Sequence, residues 1–172
     1  MNMNEWIDVS TILANLIQFT PKEILSINVN IKSISISNNS CNDSNYTIFN
    51  FSRFNLLEEL IIGNDCFEYV NLFNIDGLNH LKSIKIGNNS FTKKKNYYGD
   101  DDSRSFHILN CNELISIEIG RYSFSDYGGG FELKNLPKLA ILNIGKIGSD
   151  SFNFCYSSLE IKGMIDDNTD DE

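Results

Sequence analysis

Cysteine is sparse and badly spaced for chemistry. Cys41, Cys66, Cys111 and Cys155 lie 25, 45 and 44 residues apart, so no two have the two-residue spacing of a zinc or redox site. Histidine is scarcer: His80 and His107 are the only two, and neither has a matched Ser, Cys or paired carboxylate in register. The single glycine cluster, Gly128–Gly130, lacks the Lys and Ser/Thr of a phosphate loop and precedes a strand pattern, so it reads as a flexible turn. Basic charge is also short. Fourteen Lys and Arg against 23 Asp and Glu give a net charge of −9, which opposes a nucleic-acid stripe. A charged start, an apolar stretch and a cleavage signal are all missing, which with reduced cysteines predicts an intracellular, cytoplasmic protein. Asn-x-Ser acceptors at Asn38 and Asn88 would then be idle. No catalytic residue, metal ligand or cofactor site emerges.

What the chain has is repetition. Leu81, Ile84, Ile86, Gly87, Asn89, Ser90 and Phe91 form a phrase that returns as Leu57, Leu60, Ile62, Gly63, Cys66 and Phe67, and as Leu114, Ile117, Ile119, Gly120, Ser123 and Phe124. Weaker copies begin at Ile31 and Leu139. Leading positions 31, 57, 81, 114 and 139 are thus 26, 24, 33 and 25 residues apart. A second phrase keeps the same period: Phe49, Phe73, Phe106 and Phe131 each stand eight residues before a leading Leu. A fixed period of this length signals an array in which each unit buries its apolar edge against its neighbours.

Triplets such as Ile84-Lys85-Ile86 and Phe73-Asn74-Ile75 alternate apolar and polar residues, the signature of half-buried strands. Two short strands per coil, stacked into two narrow parallel sheets, are therefore expected, with Leu, Ile and Phe columns between them. The Gly after the first strand (Gly63, Gly87, Gly120, Gly145) suits a tight turn through positive φ. Cys41 falls in the Phe column and Cys111 in the Leu column, so both read as small buried hydrophobes, with Cys66 and Cys155 as unpaired thiols.

The run Leu81, Ile84, Ile86, Asn89, Phe91 resembles the leucine-rich repeat consensus with Phe in the last apolar place, and Cys111, Leu114, Ile117, Ile119 is similar to its bacterial surface-antigen (BspA-like) subtype. The likeness covers residues 31 to 164 and implies a binding scaffold. Its asparagine place holds Asn39 and Asn89 but Asp65 and Tyr122 elsewhere, which predicts no continuous asparagine ladder.

Three segments flank or interrupt the array. Trp6, Ile7, Val9, Ile12, Leu13, Leu16 and Ile17 share one face of a helical pattern, so residues 1–23 read as an N-terminal helical cap ended by Pro21. Lys and Arg are absent before Lys22, which gives anionic lipid nothing to grip, and no membrane role is expected. The solenoid spans 24–164. In its third unit an insertion at 92–105 carries Lys93 to Lys95, Tyr97, Tyr98 and Asp100 to Asp102; its lysines and aspartates read as loosely paired. Residues 165–172 hold five acids and read as an acidic disordered tail.

The function expected is a monomeric, non-enzymatic scaffold that binds a protein partner through outward strand positions Ser35, Glu59, Ile61, Lys85, Glu118, Ile141 and Asn143, and through Tyr97 and Tyr98 of the insertion. Ile61 and Ile141, apolar at outward places, mark a contact patch. The alternatives are a surface or secreted adhesin and a fragment of a larger protein.

Overall fold

The computed structural model describes residues 30–163 except 46, 53, 94–100, 147 and 156. The helical cap over 1–23, the acidic tail over 165–172, and Tyr97 with Tyr98 lie outside the described residues. Within them the chain is strand and turn alone: β1 (Ser33–Ile36), β2 (Ile48–Asn50), β3 (Glu59–Ile62), β4 (Leu72–Asp76), β5 (Ser83–Ile86), β6 (Ser105–Leu109), β7 (Ser116–Ile119), β8 (Phe131–Lys134), β9 (Ile141–Ile144) and β10 (Leu159–Lys162).

Odd and even strands separate. One five-stranded parallel sheet runs β1-β3-β5-β7-β9 and the other β2-β4-β6-β8-β10, so each coil of a β-solenoid gives one strand to each. Register follows the repeat: Ile34 pairs with Leu60, Leu60 with Ile84, Ile84 with Ile117 and Ile117 with Leu142. In the second sheet Phe49, Phe73, Phe106, Phe131 and Leu159 share one row, and the half-unit at Leu159–Lys162 pairs with β8. Period-two alternation puts every second side chain inside, so these rows become the core, apart from the exposed Leu159 at the end of the second sheet.

Two aromatic columns fill that core. Phe67, Phe91, Phe124 and Phe154 stack with ring centroids 4.9, 4.7 and 5.1 Å apart and nearly parallel planes. Phe73 stacks on Phe106 at 4.8 Å, and both meet the first column edge-on. The leading Leu57, Leu81 and Leu114 are wholly buried, as are Leu78, Cys111 and Leu136 one row away. Each such side chain contributes roughly 1.5–3 kcal/mol by leaving water.

The glycine column has a different cause from the one its sequence suggests. Among Gly63, Gly87, Gly120 and Gly145 only Gly145 has positive φ. The first three stand where adjacent coils nearly touch: a Cβ on Gly120 would lie 2.5 Å from the Gly87 carbonyl carbon, and one on Gly87 would lie 2.6 Å from that of Gly63. Left-handed backbone falls instead on Asn39, Asp65, Asn89 and Tyr122 and, two residues later, on Cys41, Phe67, Phe91 and Phe124.

A ladder of asparagines does exist, one residue earlier than the consensus place. Asn38 Oδ1 accepts the Asn64 N–H at 2.7 Å, Asn64 Oδ1 accepts that of Asn88 at 2.7 Å, and Asn88 Oδ1 accepts that of Arg121 at 2.8 Å. Inside it runs a hydroxyl column. Ser90 Oγ donates to Gly63 O and Ser123 Oγ to Gly87 O, while each accepts the N–H of the coil before it, Cys66 and Ser90 respectively. The turns between strands thereby pair their polar groups coil to coil.

Candidate functional site

The first sheet gathers the outward positions into two straight rows. Ser33, Glu59, Ser83, Ser116 and Ile141 form one; Ser35, Ile61, Lys85, Glu118 and Asn143 form the other. Strands in a sheet lie about 4.8 Å apart, so each row of five spans about 19 Å. Lys85, Glu118, Ile141 and Asn143 are exposed, whereas Ser35, Glu59 and Ile61 are half-buried. Ser33 Oγ donates to Glu59 Oε2 at 3.2 Å, which ties the first two strands across the face. Ile61 and Ile141 share the sheet but sit in different rows and three strands apart, so they form no common apolar patch.

Beside these rows the face is charged in an alternating line. Lys32 and Lys82 both donate to Glu58, at 2.8 and 2.7 Å, and Lys138 donates to Glu113 at 2.7 Å one row over. The hydrogen bonds from Lys32 and then Lys82 pull the Glu58 carboxyl down to about 2. The Glu113 carboxyl is lowered by its bond from Lys138. These pairs are solvent-exposed and set the pattern of the face more than its stability.

The insertion is anchored far more firmly than loose lysine–aspartate pairs would anchor it. Arg104, on its returning arm, is fully buried. Its Nη1 donates to Asp126 Oδ2 at 2.6 Å and its Nη2 to the carbonyls of Val70 at 2.7 Å, Glu68 at 2.9 Å and Phe91 at 3.2 Å. The guanidinium also lies 4.6 Å from the centre of the Tyr127 ring, whose hydroxyl donates to Val70 O at 2.7 Å. On the outgoing arm the Lys93 N–H donates to the same Asp126 oxygen at 3.0 Å, and Thr92 and Ser125 share a hydroxyl bond of 2.6 Å. The glycine cluster completes the dock: Gly128 and Gly129 donate backbone N–H bonds to Asp101 O and Arg104 O, so the turn is held rather than free. Both arms of the insertion are thereby fixed to the following coil. Nothing in the alternation of apolar residues points to Arg104; the repeat marks only the neighbouring contacts, since 33 residues, the length of the enlarged unit, separate Lys93 from Asp126 and Thr92 from Ser125.

No family model, no curated protein and no solved structure matches the chain. Its surfaces must therefore be read on their own chemistry.

Cys41, Cys66 and Cys111 are buried free thiols and Cys155 is an exposed one. Burial pushes Cys41 up to about 12 and Cys111 to about 11, so neither forms a nucleophilic thiolate near neutral pH. His80 is exposed at a unit junction. His107 takes an outward place on β6, with Nδ1 3.3 Å from Glu132 Oε2. No three His, Cys, Asp or Glu side chains among the described residues stand together as metal ligands, and no helix among them is long and apolar enough to cross a membrane. A shallow polar groove of about 500 Å³ runs beside the second sheet, lined by Asn79, Asn110, Asn112, Asn135 and Pro137 between Gly77 and Gly163. Its floor is a short amide ladder in which Asn110 donates to Asp76 and Asn135 to Asn110, both at 2.7 Å.

Proposed function

We propose that this chain is a leucine-rich-repeat protein of the surface-antigen subtype acting as a non-enzymatic binding scaffold, which meets a protein partner through the outward rows of the first sheet. The observation that carries the reading is the register that lines up Ile61, Lys85, Glu118 and Asn143 in that order on one straight ribbon. A parallel sheet with outward side chains of mixed charge is a rigid surface, and rigid presentation lowers the ordering cost of association. Arg104 supports a role for the insertion as well, since its buried bonds fix both ends of the segment that carries Tyr97 and Tyr98. The protein works as a monomer in the cytoplasm, without membrane, nucleic acid, metal or cofactor.

Capture of the partner from native cells, followed by the double charge reversal Lys85→Glu and Glu118→Lys, tests this. Adjacent complementary charges at an interface set specificity and association rate, so affinity should fall about tenfold or more. Unchanged affinity removes the first sheet as the contact surface.

A further inference from the structure

Asparagine gathers where the second sheet turns away. Gly77, Asn110, Asn135 and Gly163 follow β4, β6, β8 and β10, and all four are left-handed, with φ of 72°, 53°, 54° and 62°. That backbone alone accounts for a glycine or asparagine at each place, because these residues tolerate it best. It does not account for the next row. Asn79 and Asn112 stand two residues further on, outside the left-handed region, exposed, and without a side-chain hydrogen bond to any described residue. Pro137 holds the equivalent place in the following coil. The two rows line the groove of about 500 Å³, with no charged side chain and no aromatic ring among its described lining residues.

Spacing and chemistry narrow the ligand. The bonds from Gly77 N to Leu109 O at 3.1 Å, Asn110 N to Lys134 O at 2.9 Å and Asn135 N to Lys162 O at 2.9 Å carry the register of the sheet into the turn. The amides therefore repeat in a straight line at about 4.8 Å per coil. Asn135 and Asn110 each use one N–H in the ladder that ends at Asp76, which fixes their planes and leaves the second N–H of each for a ligand. A neutral row of groups that both donate and accept suits hydroxyls, which do the same. Nucleic-acid phosphates and metal ions need charged partners, and these rows offer none. An extended polypeptide presents alternate side chains about 6.6 Å apart, so its polar groups fall out of step with the coils. A straight chain of pyranose rings keeps step: each ring advances by close to one coil and presents neighbouring hydroxyls, to which a single amide can donate once and accept once.

We propose that the asparagine groove beside the second sheet binds an extended, uncharged, equatorially linked hexose chain of the cellulose type, one ring per coil. Asn79, Asn110, Asn112 and Asn135 bond the ring hydroxyls, and Pro137 packs under the C–H face of a ring. The groove lies at the ends of β4, β6 and β8, away from the outward rows of the first sheet, so this reading and the one above stand or fall independently. Each hydrogen bond replaces one made to water, so affinity is weak and grows with the number of rings engaged.

The test is an NMR titration of the isotope-labelled full chain with cellobiose and cellotetraose. Cellotetraose at millimolar concentration should shift the side-chain amide resonances of Asn79, Asn110, Asn112 and Asn135, and should bind at least threefold more tightly than cellobiose. Asn79→Ala with Asn112→Ala should weaken it at least fivefold. Both positions are exposed, and circular dichroism confirms that the pair leaves the fold intact. Asn110→Gly keeps the left-handed backbone while removing one amide of the ladder, and should cost threefold or more. Three controls accompany these: maltotetraose, whose axial linkages coil the chain, a sulfated heparin tetrasaccharide, and an uncharged Ser/Thr/Gly peptide. Absence of shifts at those amides overturns the proposal, as does affinity indifferent to the Asn79 and Asn112 pair or equal binding of maltotetraose. Tighter binding of the heparin fragment overturns it in favour of an anion site, and tighter binding of the peptide overturns it in favour of a polypeptide.

Discussion

Replacing Gly120 by alanine isolates the reason for the glycine column. Gly120 lies outside the left-handed region, so backbone entropy alone makes alanine there a gain of about 0.4–1 kcal/mol. The added Cβ, however, would sit 2.5 Å from Gly87 C and 2.6 Å from Asn88 N, both backbone atoms of the preceding coil. Carbon atoms rest at about 3.5–4.0 Å, so the coils must part locally by about 1 Å. Overpacking of this kind costs about 1–3 kcal/mol. Parting the coils also stretches the bonds from Gly120 N to Ile86 O at 2.7 Å and from Arg121 N to Asn88 Oδ1 at 2.8 Å. Each bond is worth about 1 kcal/mol. The net expectation is a loss of about 2–4 kcal/mol, a large share of a total near 5–15 kcal/mol. Thermal unfolding followed by far-UV circular dichroism should show a midpoint lower by roughly 5–15 °C. Gly77→Ala is the control: its φ is +72° with open space around the site, so it should lose only the left-handed penalty of about 1–2 kcal/mol. If Gly120→Ala matches or exceeds the parent in stability, close approach of the coils is not why glycine stands there.

Three further outcomes are expected. Arg104→Ala leaves Asp126 buried without its cation and should cost about 3–5 kcal/mol in urea unfolding, while Arg104→Met with Asp126→Asn should recover most of it; a loss under about 1 kcal/mol would show that the buried pair does not hold the insertion. Iodoacetamide at pH 8 should alkylate Cys155 in the folded protein and reach Cys41, Cys66 and Cys111 only on unfolding, and native labelling of Cys41 seen by peptide mass spectrometry would contradict its burial. Glu58 has its carboxyl lowered from 4.5 to about 2, so its contribution is complete above about 4.5 and is lost as pH falls toward 2. Being largely solvent-exposed, it is worth about 1 kcal/mol at most, so Glu58→Gln should shift the urea midpoint slightly at pH 7 and progressively less as pH falls through about 2.

The two-sheet solenoid is legible because one physical demand recurs every coil. Leu57, Leu81 and Leu114 must fill the same interior place, as must Phe67, Phe91 and Phe124, so a single sequence carries several readings of one rule. What failed to show is what happens between coils. Gly87 looks like a turn residue, yet its role is to let two backbones approach, and that distance depends on the stacking rather than on the local chain. Asn64 and Asn88 look like loop polars, although their oxygens cap the next coil's N–H groups. Arg104 reads as one charge in a charged insertion, and only the fold brings Asp126, Tyr127 and three carbonyls around it. The outward rows were legible in register but not in meaning, because Ser35, Lys85 and Asn143 answer to no packing requirement and are free to vary.

The left-handed phenylalanines show how neighbour dependence governs the whole stack. A non-glycine residue at positive φ costs about 1–2 kcal/mol, and Phe67, Phe91 and Phe124 all stand there at φ near 57°. Burial of each ring returns about 1.5–3 kcal/mol, which by itself offsets that cost, and each stacked neighbour adds about 0.5–1.5 kcal/mol. The backbone bond from Phe91 N to Cys66 O at 2.7 Å and its counterpart from Phe124 N to Ser90 O at 3.1 Å hold the turn from the coil before. At the open end the balance changes. Phe154 keeps the same left-handed backbone at φ 48° and stacks on both Phe124 at 5.1 Å and Phe131 at 4.3 Å, but it is only half-buried. The last coil therefore bears the strain of the repeat with less of the burial that offsets it elsewhere.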